Sequence, residues 1–338
     1  MAPAARLEAL LTRHWWRSRP TLAMQLLRPL ACLYGALARR ARRKPPEAVP
    51  VPVVVVGNLI VGGAGKTPTV IALVGALAGA GRRPGVVSRG HGRHGGGIRA
   101  VDDDASAAQV GDEPLLIRRR TGVPVWVGRD RVAAVRALCA AHPEVDVVVS
   151  DDGLQHRALP REAEVIVFDD RGVGNGLLLP AGPLREPLAP LATRQRVLYN
   201  AARPSTPLPG ALAERRLGRA QPLAAWRAGH GDRAQPLATL RDRPMVAVAG
   251  IAAPERFFAM LEAAGLAIRR VALPDHHDYA TLPWESGTPD VVTTEKDAVK
   301  LHPAAVGATR VWVVGLDFAL PPQLIQDVLG LLGRRASR

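Results

Sequence analysis

The run VPVVVVG at residues 51–57, continuing into Gly57-Asn-Leu-Ile-Val-Gly-Gly-Ala-Gly-Lys-Thr67, constrains the fold more than any other stretch. Four consecutive valines read as a strand buried on both faces, the habit of a parallel sheet. A glycine-rich turn follows, and Thr69–Ala80 then has helical composition. Strand, loop and helix in that order are the context of a phosphate-binding loop. Small residues let backbone N–H groups curl around phosphate oxygens, and the helix N-terminus adds partial positive charge. Ile60, Val61, Gly62, Gly63, Ala64, Gly65, Lys66 and Thr67 form the candidate nucleotide-binding set. Lys66 is placed to reach the β- and γ-phosphates, and the Thr67 hydroxyl to bind Mg²⁺. Ile60 stands where the strict pattern has glycine.

The same alternation continues. Strands are expected at 85–88, 123–127, 146–150, 164–169 and 195–200, with a helix at 131–141. A second α/β series follows: strands at 245–249, 267–272, 290–293 and 310–314, and helices at 254–264 and 322–332. Between them, 201–240 is rich in Pro, Ala, Gly and Arg and weakly periodic, which suggests a domain junction. The expected fold is α/β: a P-loop NTPase-like, mainly parallel sheet domain at 45–205, and a second, smaller α/β domain at 206–338 closing the cleft. Basic amphipathic helices at 1–44 precede both.

Charge is the next constraint. Lys and Arg number 45 against 30 Asp and Glu, a formal net charge of +15. Nucleic acid, an anionic membrane or a phosphorylated substrate would each suit such a charge, and so would a GC-rich genome that favours Arg. Clustering is more specific. From Ala9 to Pro46 there is no acidic residue, while Arg13, Arg17, Arg19, Arg28, Arg39, Arg40, Arg42, Arg43 and Lys44 alternate with Leu10, Leu11, Trp15, Trp16 and further leucines. Leu26, Leu30, Leu33 and Leu37 follow helical spacing, and Pro20 and Pro29 start or bend helices. The longest charge-free run, Pro29–Ala38, is far short of the roughly 20 residues that span a bilayer. Two readings stay open: a segment lying on an anionic membrane surface, or helices packed on the protein's own core. Cys32 and Cys139 sit in no metal-binding or disulfide pattern, which points to a reducing compartment.

Five further motifs carry chemistry. Asp146-Val-Val-Val-Ser-Asp-Asp-Gly-Leu-Gln-His156 is an apolar strand ending in paired carboxylates. Asp151 or Asp152 could hold Mg²⁺ beside the phosphate loop, or Asp152-Gly153 could be an ordinary Asx turn. Val110-Gly-Asp-Glu-Pro114 offers Asp112 as a base for a hydroxyl acceptor, although spacing alone favours a helix cap. In the loop from Gly174 to Pro187, Arg185 could stabilise a transferring phosphoryl group and Glu186 could orient it or bind substrate; a surface ion pair fits equally. Ser88-Arg-Gly-His-Gly-Arg93 is either a phosphate contact or a flexible basic loop. Pro274-Asp-His-His-Asp-Tyr279 could bind a metal or relay protons; a histidine there would adjust Asp112 if brought near it across an interdomain cleft, and Thr293–Asp297 could face the same place.

Taken in order, VGN-x-x-VGG-x-GKTP, SRG-x-GR, GDEP, DDG-x-QH, GNG-x-x-LPAGPLREP, AGI-x-x-PERFF, PDHH-x-Y and TTEKD resemble the tetraacyldisaccharide 4′-kinase family, the lipid A 4′-kinases, over about residues 50–300. The resemblance implies ATP- and Mg²⁺-dependent phosphorylation of the 4′-hydroxyl of a tetraacylated glucosamine disaccharide 1-phosphate. It places the enzyme as a peripheral protein at the cytoplasmic face of the bacterial inner membrane. It further implies that Lys66 and Thr67 serve phosphate and Mg²⁺, that Asp151 and Asp152 stand on the metal side, that Asp112 is the base and His276 its partner, and that Arg185 and Glu186 sit at the reaction centre or substrate. Partners are then the acylated disaccharide and an anionic membrane, with no nucleic acid, and a monomer is expected. His91 and Ala64 depart from the family's usual Tyr and Ser or Thr. A regulatory NTPase and a soluble small-metabolite kinase are the competing readings; neither has a use for both an acceptor site and the Trp15-Trp16 segment.

Overall fold

The computed structural model describes residues 11–41 and 45–333. Leu10, Arg42, Arg43 and Lys44 of the basic segment lie outside them. The strands are β1 Val53–Gly57, β2 Pro84–Ser88, β3 Arg99–Ala100, β4 Val125–Val127, β5 Val147–Asp151, β6 Ala163–Asp169, β7 Gln195–Asn200, β8 Ala211–Leu212, β9 Glu214–Pro222, β10 Met245–Ala249, β11 Ile268–Ala272, β12 Asp290–Thr294 and β13 Arg310–Ala319.

The chain forms two compact units, and neither is contiguous in sequence. The first comprises Met1–Ser88, Asp130–Glu214 and Leu320–Arg338; the second comprises Arg89–Arg129 and Arg215–Ala319. The division expected from composition, with one boundary near residue 205, differs in two places. Residues 89–129 cluster with the later part of the chain, and the helix Pro322–Gly333 returns to the first unit. Local pattern gives the type of an element; which neighbours bury it is a matter of long-range packing.

In the first unit β2-β5-β1-β6-β7-β8 lie side by side in that order. Every adjacent pair is parallel. β1, β5 and β6 are buried at every position, which is why their sequences are near-continuous apolar runs. Glu164 in β6 is tolerated there because Arg161, Arg194 and Gln195 surround its carboxylate. The register Val56↔Asp151 sets the carboxyl ends of β1 and β5 side by side. Parallel strands send their following loops to one edge, so the turns after both strands open together.

The N-terminal residues of this unit have a buried face and an exposed apolar one. Trp15 is buried and donates from Nε1 to the Pro180 carbonyl at 3.0 Å. Helices Leu22–Leu26 and Arg28–Ala41 bury Met24 and Ala31, and Tyr34 donates to the Arg185 carbonyl at 3.1 Å. Leu22, Leu26, Leu30, Leu33 and Leu37 remain 53–82% exposed. No helix among the described residues is long and apolar enough to cross a membrane.

The second unit holds a sheet in the order β11-β10-β12-β13-β9, with β11, β10, β12 and β13 parallel. Phe258, Leu261 and Trp312 fill one core cluster, and Val248, Val291 and Val313 another. The boundary at Glu214/Arg215 falls inside the junction expected at 201–240, and β9 gives that stretch a regular strand. It is an edge strand whose charged residues leave only Ala220 fully buried, so it carries no apolar alternation to read. β3 and β4 pair antiparallel in the same unit.

Candidate active site

The loop after β1 is held by its neighbours more than by its glycines. Asn58, fully buried, donates to the Gly62 carbonyl at 3.0 Å and so fixes the turn across four residues. Ile60 is fully buried too, bridged to Leu184, which explains how a large residue occupies a place where the strict motif has glycine. Gly65 does need to be glycine. Its φ is +93°, and a Cβ there would meet Asn200 Nδ2 at 2.2 Å. Asn200, at the end of β7, donates to the Ala64 carbonyl at 3.2 Å. The helix Lys66–Gly79 starts directly after Gly65, with Lys66 and Thr67 in its first turn.

Lys66 Nζ lies 3.2 Å from Asn58 Oδ1 and 3.8 Å from Asp152 Oδ1. Asp152 begins the turn after β5 with φ +48°. Arg185 forks onto it, Nη2 to Oδ1 at 3.1 Å and Nη1 to Oδ2 at 3.3 Å. The same guanidinium donates from Nε to the Ile60 carbonyl at 3.1 Å and from Nη2 to Asn58 Oδ1. Burial alone would raise the pKa of Asp152, but Lys66 and Arg185 outweigh it and hold it below the usual carboxylate value. Asp151, buried in the last position of β5, accepts from Ser88 Oγ at 3.0 Å. Cations and carboxylates therefore meet at one end of one sheet.

Glu186 is buried and pairs with Arg157 Nη2 at 2.5 Å. Arg185 pairs with Asp152.

The other group lies within the second unit. The helix Asp112–Thr121 is capped by Gly111, with φ +94° and ψ 150°. A Cβ at Gly111 would stand 3.0 Å from the His91 carbonyl oxygen. The cap reading of Asp112 is thus corrected: Gly111 holds that position, and Asp112 is the first helical residue with its side chain available for a partner. Its Oδ1 accepts the Glu113 N–H at 3.0 Å, and His276 Nδ1 lies 2.9 Å from Oδ2. His276 has φ +61°, a conformation sparsely populated by non-glycine residues. Asp112 and His276 both belong to the second unit, so the pair is not formed between domains as the sequence suggested.

The pair is electrically polarised. Burial pushes the Asp112 carboxyl up, but the His276 hydrogen bond, with Lys296 and Lys300 nearby, brings it below its ordinary value. The bond to Asp112 raises the His276 pKa, against burial and the Lys296 charge. Lys296 Nζ and Lys300 Nζ stand 4.0 and 3.9 Å from Asp112 Oδ2. The His91 ring lies 5.5 Å from that of His276. Among the described residues, no group of three or more His, Cys, Asp and Glu gathers to hold a metal, and the Pro274–Tyr279 motif supplies a partner for Asp112 instead.

No role for Asn58, Asn200 or Lys300 followed from the sequence; Asn58 was legible as the first residue past β1, and Lys296 lies in the Thr293–Asp297 motif expected to face the same place as the histidines.

The model of the tetraacyldisaccharide-1-P 4′-kinase family matches residues 23–333. A tetraacyldisaccharide 4′-kinase of Methylibium petroleiphilum is 57% identical over 330 residues, covering 94% of this chain and 92% of that relative. One from Leptothrix cholodnii is 55% identical over 344 residues, covering 98% of each. The crystal structure of LpxK from Aquifex aeolicus in complex with ATP superposes with a TM-score of 0.75 at 26% identity, over 92% of this chain and 100% of that one. The family model spans most of the chain and its relatives align nearly end to end, so the chain belongs to the tetraacyldisaccharide-1-P 4′-kinase family and is a kinase.

Proposed function

We propose that this chain transfers the γ-phosphate of ATP to the 4′-hydroxyl of a tetraacylated disaccharide 1-phosphate, with Asp112 as the base. One observation carries the assignment of roles: His276 Nδ1 lies 2.9 Å from Asp112 Oδ2, between positions 164 residues apart in the chain. A carboxylate held ionised by an imidazole suits removal of a hydroxyl proton. The acceptor oxygen bonds to the γ-phosphorus as the bond to the β-phosphate bridging oxygen breaks. The hydroxyl proton passes to Asp112, and ADP leaves.

Residues 60–67 hold the phosphates in this reading. Backbone N–H groups around Gly62, Gly63 and Gly65 point at the oxygens, and Lys66 exchanges Asn58 for a phosphate oxygen. Arg185, already fixed by Asp152, stabilises charge on the phosphoryl group. Thr67 and Asp151 supply hard oxygen donors that fit Mg²⁺, and Asp152 stands beside them bound to Arg185. Mg²⁺ is commonly held by one or two carboxylates and the substrate phosphates, so a sparse protein set is what it needs. When bound, it would neutralise charge on the β- and γ-oxygens.

The exposed leucine stripe with Arg28, Arg39 and Arg40 supports a peripheral seat on an anionic membrane, and the resemblance to lipid A 4′-kinases supports placing it at the cytoplasmic face of the inner membrane. One chain supplies every group named, so a monomer suffices. Incubation with γ-labelled ATP, Mg²⁺ and the acylated disaccharide is expected to label the lipid, and chelation of Mg²⁺ to abolish labelling. ATP hydrolysis without labelled lipid would overturn the acceptor assignment.

A further inference from the structure

Two carboxylates beside the Asp112–His276 pair have no part in the reading above. Glu113 follows Asp112 in the chain, and Asp275 precedes His276. Both meet the same ammonium. Lys296 Nζ lies 3.2 Å from Glu113 Oε1 and 3.1 Å from Asp275 Oδ1, as well as 4.0 Å from Asp112 Oδ2. Lys296 comes from a third segment, the short helix Glu295–Ala298 after β12. That helix is firmly seated. Thr294 caps it, and Asp297, fully buried, accepts from the Gly250 N–H at 3.0 Å.

An ammonium has three donors and no acceptor, so one nitrogen can satisfy two carboxylates and still stand over a third. The side chain of Lys296 is 17% exposed, and the carboxylates it meets are 25% and 32% exposed. Burial lowers its pKa, but Glu113, Asp112 and Asp275 together outweigh that and raise it, so Lys296 stays charged. Lys300 faces the pair from the same side, with Asp297 Oδ1 at 3.3 Å as its own counter-charge, and His91 faces His276 from another segment.

We propose that Lys296 is the positioning residue of the Asp112–His276 pair: it ties together the two segments that carry the pair and sets its positive charge beside the Asp112 carboxylate. The proposal rests on Asp112 being the base. Lys296 touches each member's chain neighbour, so it fixes where both backbones run. His276 sits in a left-handed conformation that needs such surroundings to persist. Lys300 lacks this geometry; its contact with Asp112 is charge alone, at 3.9 Å.

The experiment is a pH profile of kcat/KM for wild type, Lys296→Met and Lys296→Arg, with folding checked by circular dichroism. Removing the cation favours the protonated form of the pair, so in Lys296→Met the acid limb is expected to move up by roughly one unit. kcat is expected to fall by roughly 10- to 100-fold from lost placement, with KM for ATP unchanged. Lys296→Arg keeps the charge but replaces a point donor with a planar fork. It is expected to hold the acid limb near wild type while kcat still drops. A folded Lys296→Met whose acid limb does not move overturns the proposal, whatever its kcat. Lys296→Gln replaces Met in the same profile if Met does not fold, with the same two outcomes. Asp112→Asn separates the failures. If it retains turnover, the base assignment is wrong; if it loses turnover while the Lys296 limb stays put, only the role of Lys296 is wrong.

Discussion

His276 Nδ1 stands 2.9 Å from Oδ2 and 3.1 Å from Oδ1 of Asp112, facing both oxygens of one carboxylate. Such contact fixes the ring, assigns the shared proton to Nδ1 while the carboxylate is ionised, and leaves Nε2 near Asp275 Oδ2 at 3.8 Å. The two residues therefore titrate as a pair.

Replacing Asp112 with Asn removes the base but preserves the size of the side chain. Turnover is expected to fall by roughly 10²–10⁴. ATP affinity, measured by calorimetric titration, is expected to change little. Lost ATP affinity with intact turnover at saturation would contradict the assignment.

The pair also predicts a pH dependence of stability. The folded pKa of His276 is raised, so its contribution is fully present below the ordinary histidine value near 6.5 and is lost as pH rises through the folded value. Asp112 is lowered, so its contribution is present above the ordinary carboxylate value and is lost as pH falls through the folded one. His276→Gln should thus lower Tm most between those limits, and the gap to wild type should narrow at alkaline pH. A gap that widens as pH rises would refute the ionic character of the contact.

Two glycines in consecutive elements should respond oppositely to alanine. Gly65→Ala combines a φ of +93° with a Cβ 2.2 Å from Asn200 Nδ2. The strain is about 1–3 kcal/mol. ATP binding should weaken along with stability. Gly75, inside the helix Lys66–Gly79, has nothing within 4 Å of a new Cβ. Gly75→Ala should stabilise by about 0.5–1 kcal/mol. Urea titrations of both variants, with ATP titration of the first, decide the matter.

The N-terminal segment can be divided by face. Trp15→Ala should destabilise the fold by about 3 kcal/mol, since a buried indole and its bond to Pro180 are lost. Changing Leu26, Leu30, Leu33 and Leu37 together to Asn should leave Tm nearly unchanged, because all four are exposed. Flotation with vesicles containing anionic phospholipid should show much weaker binding for the second variant. Equal binding by wild type and the leucine variant would leave the stripe without a membrane role.

By itself the sequence determined the buried parallel strands and which polar residues follow them. Val53–Gly57, Gly65-Lys66-Thr67 and Asp151-Asp152 were legible because a buried parallel strand is a continuous apolar run and the candidate residues follow its end within a few positions. The register of β1 against β5 then followed from the sheet. Tertiary structure alone decided what joins distant segments. Local spacing favoured a helix cap at Asp112, but Gly111 took the cap and His276 arrived from 164 residues away. Glu186 paired with Arg157, Asp152 with Arg185, and residues 89–129 joined the second unit. Electrostatic partners depend on burial and distance, which a local pattern of residues does not encode.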